Sequence, residues 1–150
     1  MRQKTVFFFL IALAIFILDQ ITKYIIKGST APFEIIRVTS FFNIVYVENI
    51  GSAFGLFTSL GNAFFIVVAA LAMVFVAVLM IKDRGNRLSF SLVLGGAAGN
   101  LLDRVTHGYV IDFLDFHIGT HHWPAFNVAD SALTIGITLL LIRTVFTSHK

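Results

Sequence analysis

Long apolar runs recur four times along the chain. Residues 63–81 form 19 consecutive positions without a charge, close to the ~20 residues that a helix needs to cross ~30 Å of hydrocarbon. The runs 5–26 and 88–105 are also apolar but carry charged or amide residues toward one end, and the run 126–146 carries them in its first turns. The pattern predicts four transmembrane helices at about 5–26, 62–81, 88–105 and 126–146.

The two segments between these helices, 27–61 and 106–125, have a different composition. Residues 33–47 are rich in β-branched and aromatic side chains, which favours a short sheet or hairpin at the membrane interface. Residues 108–124 mix apolar positions with Asp112 and Asp115, as an interfacial loop or a short amphipathic helix would, and Trp123 fits an aromatic belt. We therefore expect one all-α membrane domain, 1–150, with a small β-rich portion outside the bilayer.

Composition supports a membrane protein and excludes several kinds of site. Hydrophobic residues make up 57% of the chain and charged residues 13%, about half of the roughly 25% that is usual in soluble domains. The chain has no cysteine, which excludes disulfides, thiol nucleophiles and thiolate metal sites. A net charge of +3 is too small and too scattered to indicate nucleic-acid binding.

Basic residues predict the orientation of the helices. Seven of the 11 Lys and Arg residues lie in the first tail, the 82–87 loop or the last tail. The positive-inside rule therefore places both termini and this loop in the cytoplasm. Residues 27–61 and 106–125 would then face outward.

Polar residues collect at one predicted depth. At 1.5 Å per residue, Asp19, Asp103 and Asp130 each lie ~20–22 Å from the cytoplasmic end of their helix, and Asn100 and Asn127 lie in the same layer. One charged side chain in a membrane helix costs at least ~2.5 kcal/mol on insertion scales. Five polar groups at one depth therefore indicate a functional site.

Asp112 and Asp130 are the candidate catalytic pair. The 17 residues between them allow the chain to return to the same surface and bring the carboxyl groups together. Two close carboxylates do not both ionise readily, so one keeps a proton while the other acts as a base. This division suits peptide hydrolysis by an activated water. The alternative is a first-turn helix acid at Asp130 and a solvated loop acid at Asp112.

The third predicted helix carries a glycine pattern with polar neighbours. Gly95 and Gly99 form a G-x-x-x-G spacing that permits close helix packing. Gly96, Asn100 and Arg104 lie on a neighbouring stripe of the helix, either supporting a site or serving helix packing alone.

Two further groups of polar residues favour ordinary structural interpretations. Asp19 and Lys23, at i and i+4, are expected to form a self-neutralising pair near the interface. His117, His121 and His122 lack the glutamate of an H-E-x-x-H motif, so we interpret them as solvated interfacial histidines rather than a metal site.

Five motifs occur in the order of a known family. DQITK (19–23), ENIGSAF (48–54), GGAAGNLLDR (95–104), VIDF (110–113) and FNVAD (126–130) together resemble the bacterial lipoprotein signal peptidase family, signal peptidase II. Each motif alone is weak, but the ordered set covers almost the whole chain.

The resemblance implies an aspartic endopeptidase of the bacterial inner membrane, with a four-helix bundle, an extracytoplasmic β-cradle and its active site toward the periplasm. It implies cleavage of diacylglyceryl-modified prolipoproteins just before the lipidated cysteine and inhibition by globomycin. No metal, organic cofactor or nucleic acid is implied. We further expect contact with membrane lipids and a monomeric state. Asp112 and Asp130 match the catalytic positions, and the expected substrate-binding or supporting residues are Asp19, Lys23, Asn49, Gly51, Gly99, Asn100, Asp103, Arg104 and Asn127.

Two other classes remain as alternatives. A small ion- or proton-conducting transport subunit could also use intramembrane acids and amides. However, the predicted acids lie in one outer layer, and no polar relay continues toward the cytoplasm. A purely structural membrane protein would not need three intramembrane acids.

Overall fold

The computed structural model describes residues 2–32, 34–51 and 61–147 of the 150-residue chain. All four apolar runs are helical within this part. The helices are α1 (Arg2–Ser29), α2 (Gly61–Lys82), α3 (Arg87–Thr106) and α4 (Val128–Thr147). Their ends differ from the predicted ranges by a few residues.

Three of the described helices are long and apolar enough to cross a membrane: Thr5–Ser29, Gly61–Lys82 and Val128–Phe146. The fourth helix, α3, packs against each of the other three. It contains Arg87, Asp103 and Arg104, all of them buried. A fourth membrane span at α3 therefore remains a prediction.

Small residues let α3 approach its neighbours closely. A Cβ on Gly95 would lie 2.5 Å from the carbonyl oxygen of Ala12 in α1, and a Cβ on Gly96 would lie 2.5 Å from that of Ala129 in α4. Neither position can hold a side chain without moving a backbone. The predicted small-residue packing of this helix is therefore present.

The segments between the helices form one antiparallel sheet of four strands in the order β1-β2-β3-β4. β1 (Ile35–Arg37) and β2 (Phe42–Asn49) form the hairpin expected near 33–47, with residue 33 outside the described part. β3 (Val110–Ile118) and β4 (His121–His122) replace the loop or amphipathic helix expected for 108–124. That expectation was wrong because β3 pairs with β2 over most of its length.

The sheet is joined to the bundle by an apolar cluster. Ile26 near the end of α1 packs with Tyr46 of β2 and with Ile111 and Phe113 of β3. We call this end of the bundle, where α1 and α3 end and α4 begins, the sheet end. The cluster fixes β3, and with it Asp112, against the helices.

Candidate active site

A cavity of about 910 Å³ lies at the sheet end, between α3, α4 and the sheet. Both candidate catalytic residues line it. Asp112 comes from β3 and Asp130 from the first turn of α4. The structure thus brings to one cavity two carboxyl groups that are 18 residues apart in sequence.

Asp112 is almost completely buried, with 2% of its surface exposed. Its Oδ2 accepts a hydrogen bond from Asn49 Nδ2 at 2.9 Å, and its Oδ1 accepts one from Asn127 Nδ2 at 2.7 Å. Burial, together with the nearby charge of Asp130, raises the pKa of Asp112 to about 7. The two amide donors limit this rise because they favour the ionised form. A carboxyl group with this pKa can hold or release a proton near neutral pH.

Asp130 is held by a cap and by a neighbouring helix. Asn127 precedes α4, and its Oδ1 accepts the backbone N–H of Asp130 at 2.8 Å, as an N-cap residue does. Asn100 of α3 donates to Asp130 Oδ1 at 2.7 Å. Asn127 therefore binds Asp112 through its amide nitrogen and the Asp130 backbone through its amide oxygen, which couples the positions of the two acids.

The amide network continues to a buried lysine. Lys23 Nζ donates to Asn100 Oδ1 at 3.0 Å and forms ion pairs with Asp19 at 2.8 Å and Asp103 at 2.9 Å. Because Lys23 occupies Asn100 Oδ1, the amide nitrogen of Asn100 is directed to Asp130. The expected Asp19–Lys23 pair forms, both side chains are buried, and Asp103 shares the lysine.

Each acid bound to Lys23 also accepts a backbone N–H beside a candidate catalytic residue. Asp103 Oδ2 accepts the N–H of Ile111 at 3.1 Å, and Asp19 Oδ1 accepts the N–H of Ala129 at 2.9 Å. These are the residues immediately before Asp112 and Asp130. One buried cation with two acids thus fixes the backbone at both halves of the candidate pair.

Arg104 lines the cavity and supports it through contacts with two neighbouring segments. Its guanidinium donates to the carbonyl oxygen of Gly51 and to Asn62 Oδ1, and it lies 4.3 Å from the ring centre of Phe65. Gly51 N–H in turn donates to Asn49 Oδ1 at 3.0 Å. Arg104 therefore holds the segment that carries Asn49. Its charge still acts on the carboxylates of the cavity.

Gly99 is needed for the position of Asp19. A Cβ at this position would overlap Asp19 Oδ2. The predicted supporting residues therefore fall into three connected groups: the ion cluster with Gly99, the amides on the two acids, and Arg104 with Gly51.

Three contributors to this arrangement were not predicted from the sequence. Gln20 Nε2 lies within 3.2 Å of Asp19, Asp103 and the carbonyl oxygen of Gly99. Its position inside the DQITK motif was the available signal. Asn62 and Phe65, which hold Arg104, gave no signal because they stand at the start of an apolar helix.

Asp115 and the histidines at 117, 121 and 122 do not line this cavity. Asp115 is buried and accepts hydrogen bonds from Asn43 and His122. Within residues 2–32, 34–51 and 61–147, no group of three or more His, Asp or Glu side chains could hold a metal ion.

Comparisons with known proteins agree with this architecture. A family model described as "Signal peptidase (SPase) II" matches residues 11–146. Among curated relatives, a lipoprotein signal peptidase of Thermodesulfovibrio yellowstonii is 48% identical over 86% of this chain and 88% of its own length. A second, from Francisella tularensis subsp. novicida, is 42% identical over 95% and 94%. A solved structure titled "Bacterial membrane enzyme structure by the in meso method at 2.3 A resolution" matches with a TM-score of 0.88 and 35% identity, covering 99% of this chain and 92% of that one.

Proposed function

Since the chain belongs to the signal peptidase II family, we propose that it is an aspartic endopeptidase that removes signal peptides from prolipoproteins. We assign the catalytic roles to Asp112 and Asp130. The observation that carries this proposal is their position: they line one cavity and are linked through Asn127, with a pKa of about 7 at Asp112.

In the proposed mechanism the two carboxyl groups carry one proton between them. The ionised carboxyl removes a proton from a water molecule, whose oxygen attacks the scissile carbonyl carbon. The protonated carboxyl donates its proton to the carbonyl oxygen, which gives a neutral tetrahedral diol. The carboxyl that took a proton from water passes it to the peptide nitrogen as the C–N bond breaks. The other carboxylate removes a proton from one hydroxyl group of the diol, so the pair again carries one proton.

The supporting groups hold the pair in this geometry. Asn49 and Asn127 fix both oxygens of Asp112, while Asn100 fixes one oxygen of Asp130. Reacting groups that are already positioned avoid much of the entropic cost of catalysis. Lys23 balances buried charge next to the site without contacting either catalytic carboxyl.

The cavity suits a substrate that is both peptide and lipid. Apolar side chains line it beside the acids, among them Trp123, Phe126, Leu133 and Ile135. We propose that they contact the apolar signal segment and the diacylglyceryl group, with cleavage just before the lipidated cysteine. Membrane lipids would surround the exposed apolar faces of α1, α2 and α4.

We also propose the cellular arrangement from charge and hydropathy. The basic tails and the 82–87 loop favour cytoplasmic termini, so four spans in the bacterial inner membrane would place the cavity at the periplasmic face. We expect a monomer and inhibition by globomycin. The alternative of an ion-conducting subunit finds no support in the family match.

The direct test uses purified protein in detergent and a prolipoprotein supplied with and without the diacylglyceryl group. We expect cleavage before the cysteine only in the modified substrate, and complete inhibition by globomycin. Equal cleavage of both substrates would contradict the proposed lipid recognition. Failure to cleave the modified substrate would contradict the function itself.

A further inference from the structure

Two histidines face each other at the end of the sheet that is farthest along β3 from Asp112. His117 of β3 and His122 of β4 are direct cross-strand partners. Their ring centres are 4.8 Å apart, with ring planes inclined by 20°. His121 pairs with Ile118 instead.

The Nδ1 atom of each ring already has an acceptor. His117 Nδ1 lies 3.2 Å from the carbonyl oxygen of Gly119, and His122 Nδ1 lies 2.8 Å from Asp115 Oδ1. A carbonyl or carboxylate oxygen can only accept, so Nδ1 carries the hydrogen in both rings. In the neutral rings the lone pair is then on Nε2. Metal-binding histidines characteristically have this arrangement, with the other ring nitrogen donating to a carboxylate or carbonyl.

The Nε2 atom of His117 is buried and has no hydrogen-bond partner in the described part of the chain. Buried polar atoms nearly always have a partner, so a lone pair in this position favours a ligand. Asp115, which orients His122, is itself fixed by a hydrogen bond of 2.8 Å from Asn43. A cavity of about 610 Å³ adjoins both rings, and the side chain of His122 is 48% exposed.

We propose that His117 and His122 bind one divalent transition-metal ion through their Nε2 atoms. Imidazole nitrogens favour zinc, copper and nickel over magnesium or calcium. Because the described residues hold no cluster of three ligands, water completes the coordination. Because the two rings stack nearly parallel, the exposed His122 ring tilts about its Nδ1 hydrogen bond to Asp115 to direct its Nε2 toward the ion.

Such an ion would stabilise a wall of the larger cavity. It links β3 to β4, and Trp123, directly after β4, lines both cavities. The ion takes no part in peptide hydrolysis, so the site can be tested without any activity assay.

The test is isothermal titration of the full-length protein with Zn²⁺ and with Ni²⁺, in detergent and without a polyhistidine tag. The parent protein should bind one ion per chain. His122→Ala and His117→Ala should each weaken binding by more than the ~10–100-fold expected when the partner behind a ligand is lost. Asp115→Asn alters the acceptor behind His122 and should weaken binding by that smaller factor of ~10–100.

His121→Ala is the matched control, because His121 also lines this cavity but pairs with Ile118 rather than with His117. It should leave the affinity within about threefold of the parent, a free-energy change below about 0.7 kcal/mol. The proposal is overturned if the parent binds no ion, if His121→Ala weakens binding as much as His122→Ala, or if His117→Ala binds like the parent.

Discussion

Gly99→Ala should destabilise the protein through a single added methyl group. The new Cβ would overlap Asp19 Oδ2, so Asp19 must move. Asp19 is fully buried and holds Lys23 at 2.8 Å and the N–H of Ala129 at 2.9 Å. The substitution therefore disturbs the ion cluster and the start of α4 together.

The magnitude follows from three contributions. Overpacking costs about 1–3 kcal/mol, and a backbone N–H of Ala129 left unsatisfied costs about 1–3 kcal/mol more. Alanine in place of glycine stabilises a helix by about 1 kcal/mol, which offsets part of this loss. The expected net loss in the free energy of unfolding is about 1–5 kcal/mol. For a chain of this size, each kcal/mol lowers the melting temperature by roughly 2–4 °C.

The measurement is thermal unfolding in detergent, with Gly28→Ala as the matched control. Gly28 lies in α1, and a Cβ added there would have no neighbouring atom within 4 Å. This control should melt at or slightly above the parent temperature. If Gly99→Ala melts like Gly28→Ala, Asp19 does not depend on the small residue at 99 and the packing argument fails.

Three further predictions test charge and topology. The pKa of Asp112 is about 7 in the folded chain against 3.8 for an ordinary aspartate. Its contribution to stability should therefore be largest below pH 4 and decline as pH rises to about 7; a parent and an Asp112→Asn variant with the same pH profile of unfolding would refute this. Arg104→Ala should lower the free energy of unfolding by about 1.5–3 kcal/mol, because it removes hydrogen bonds from a charged donor, and Arg104→Lys should lower it less; unchanged melting and cleavage in both variants would show that the Arg104 contacts are dispensable. A cysteine introduced at 84–87 should react with an impermeant reagent only after permeabilisation, and one at 118–121 without it, whereas the reverse pattern would invert the proposed orientation.

Helix positions could be predicted because a long apolar run indicates a segment that lies in hydrocarbon as a helix. The 63–81 run has no charge, and its helix was expected within one or two residues of its observed bounds. The strand at 110–118 was missed for a physical reason. Its alternation is obscured because residues at both faces are apolar or buried, and the partner that stabilises it, β2, is more than 60 residues away.

The candidate site was predictable as a layer of polar residues but not as a network. Helical rise placed Asp19, Asn100 and Asn127 at similar heights. Helical rise could not show that Lys23 is shared between Asp19 and Asp103, because this depends on how α1 and α3 pack. The partner of Arg104 could not be predicted either, because it is the backbone carbonyl of Gly51. Every residue has such a carbonyl, so the sequence does not indicate which one accepts the hydrogen bond.

The central claim is that Asp112 and Asp130 together perform the hydrolysis, and their amide variants test it most directly. Asp112→Asn and Asp130→Asn keep the shape of each side chain but remove its ability to exchange a proton. Cleavage of a diacylglyceryl-modified prolipoprotein should fall by at least the ~10²–10⁴-fold that a general acid or base contributes, while both variants remain folded. Glu34→Gln removes an exposed carboxylate outside the cavity and should cleave at the parent rate. Near-normal cleavage by either aspartate variant would contradict the assignment.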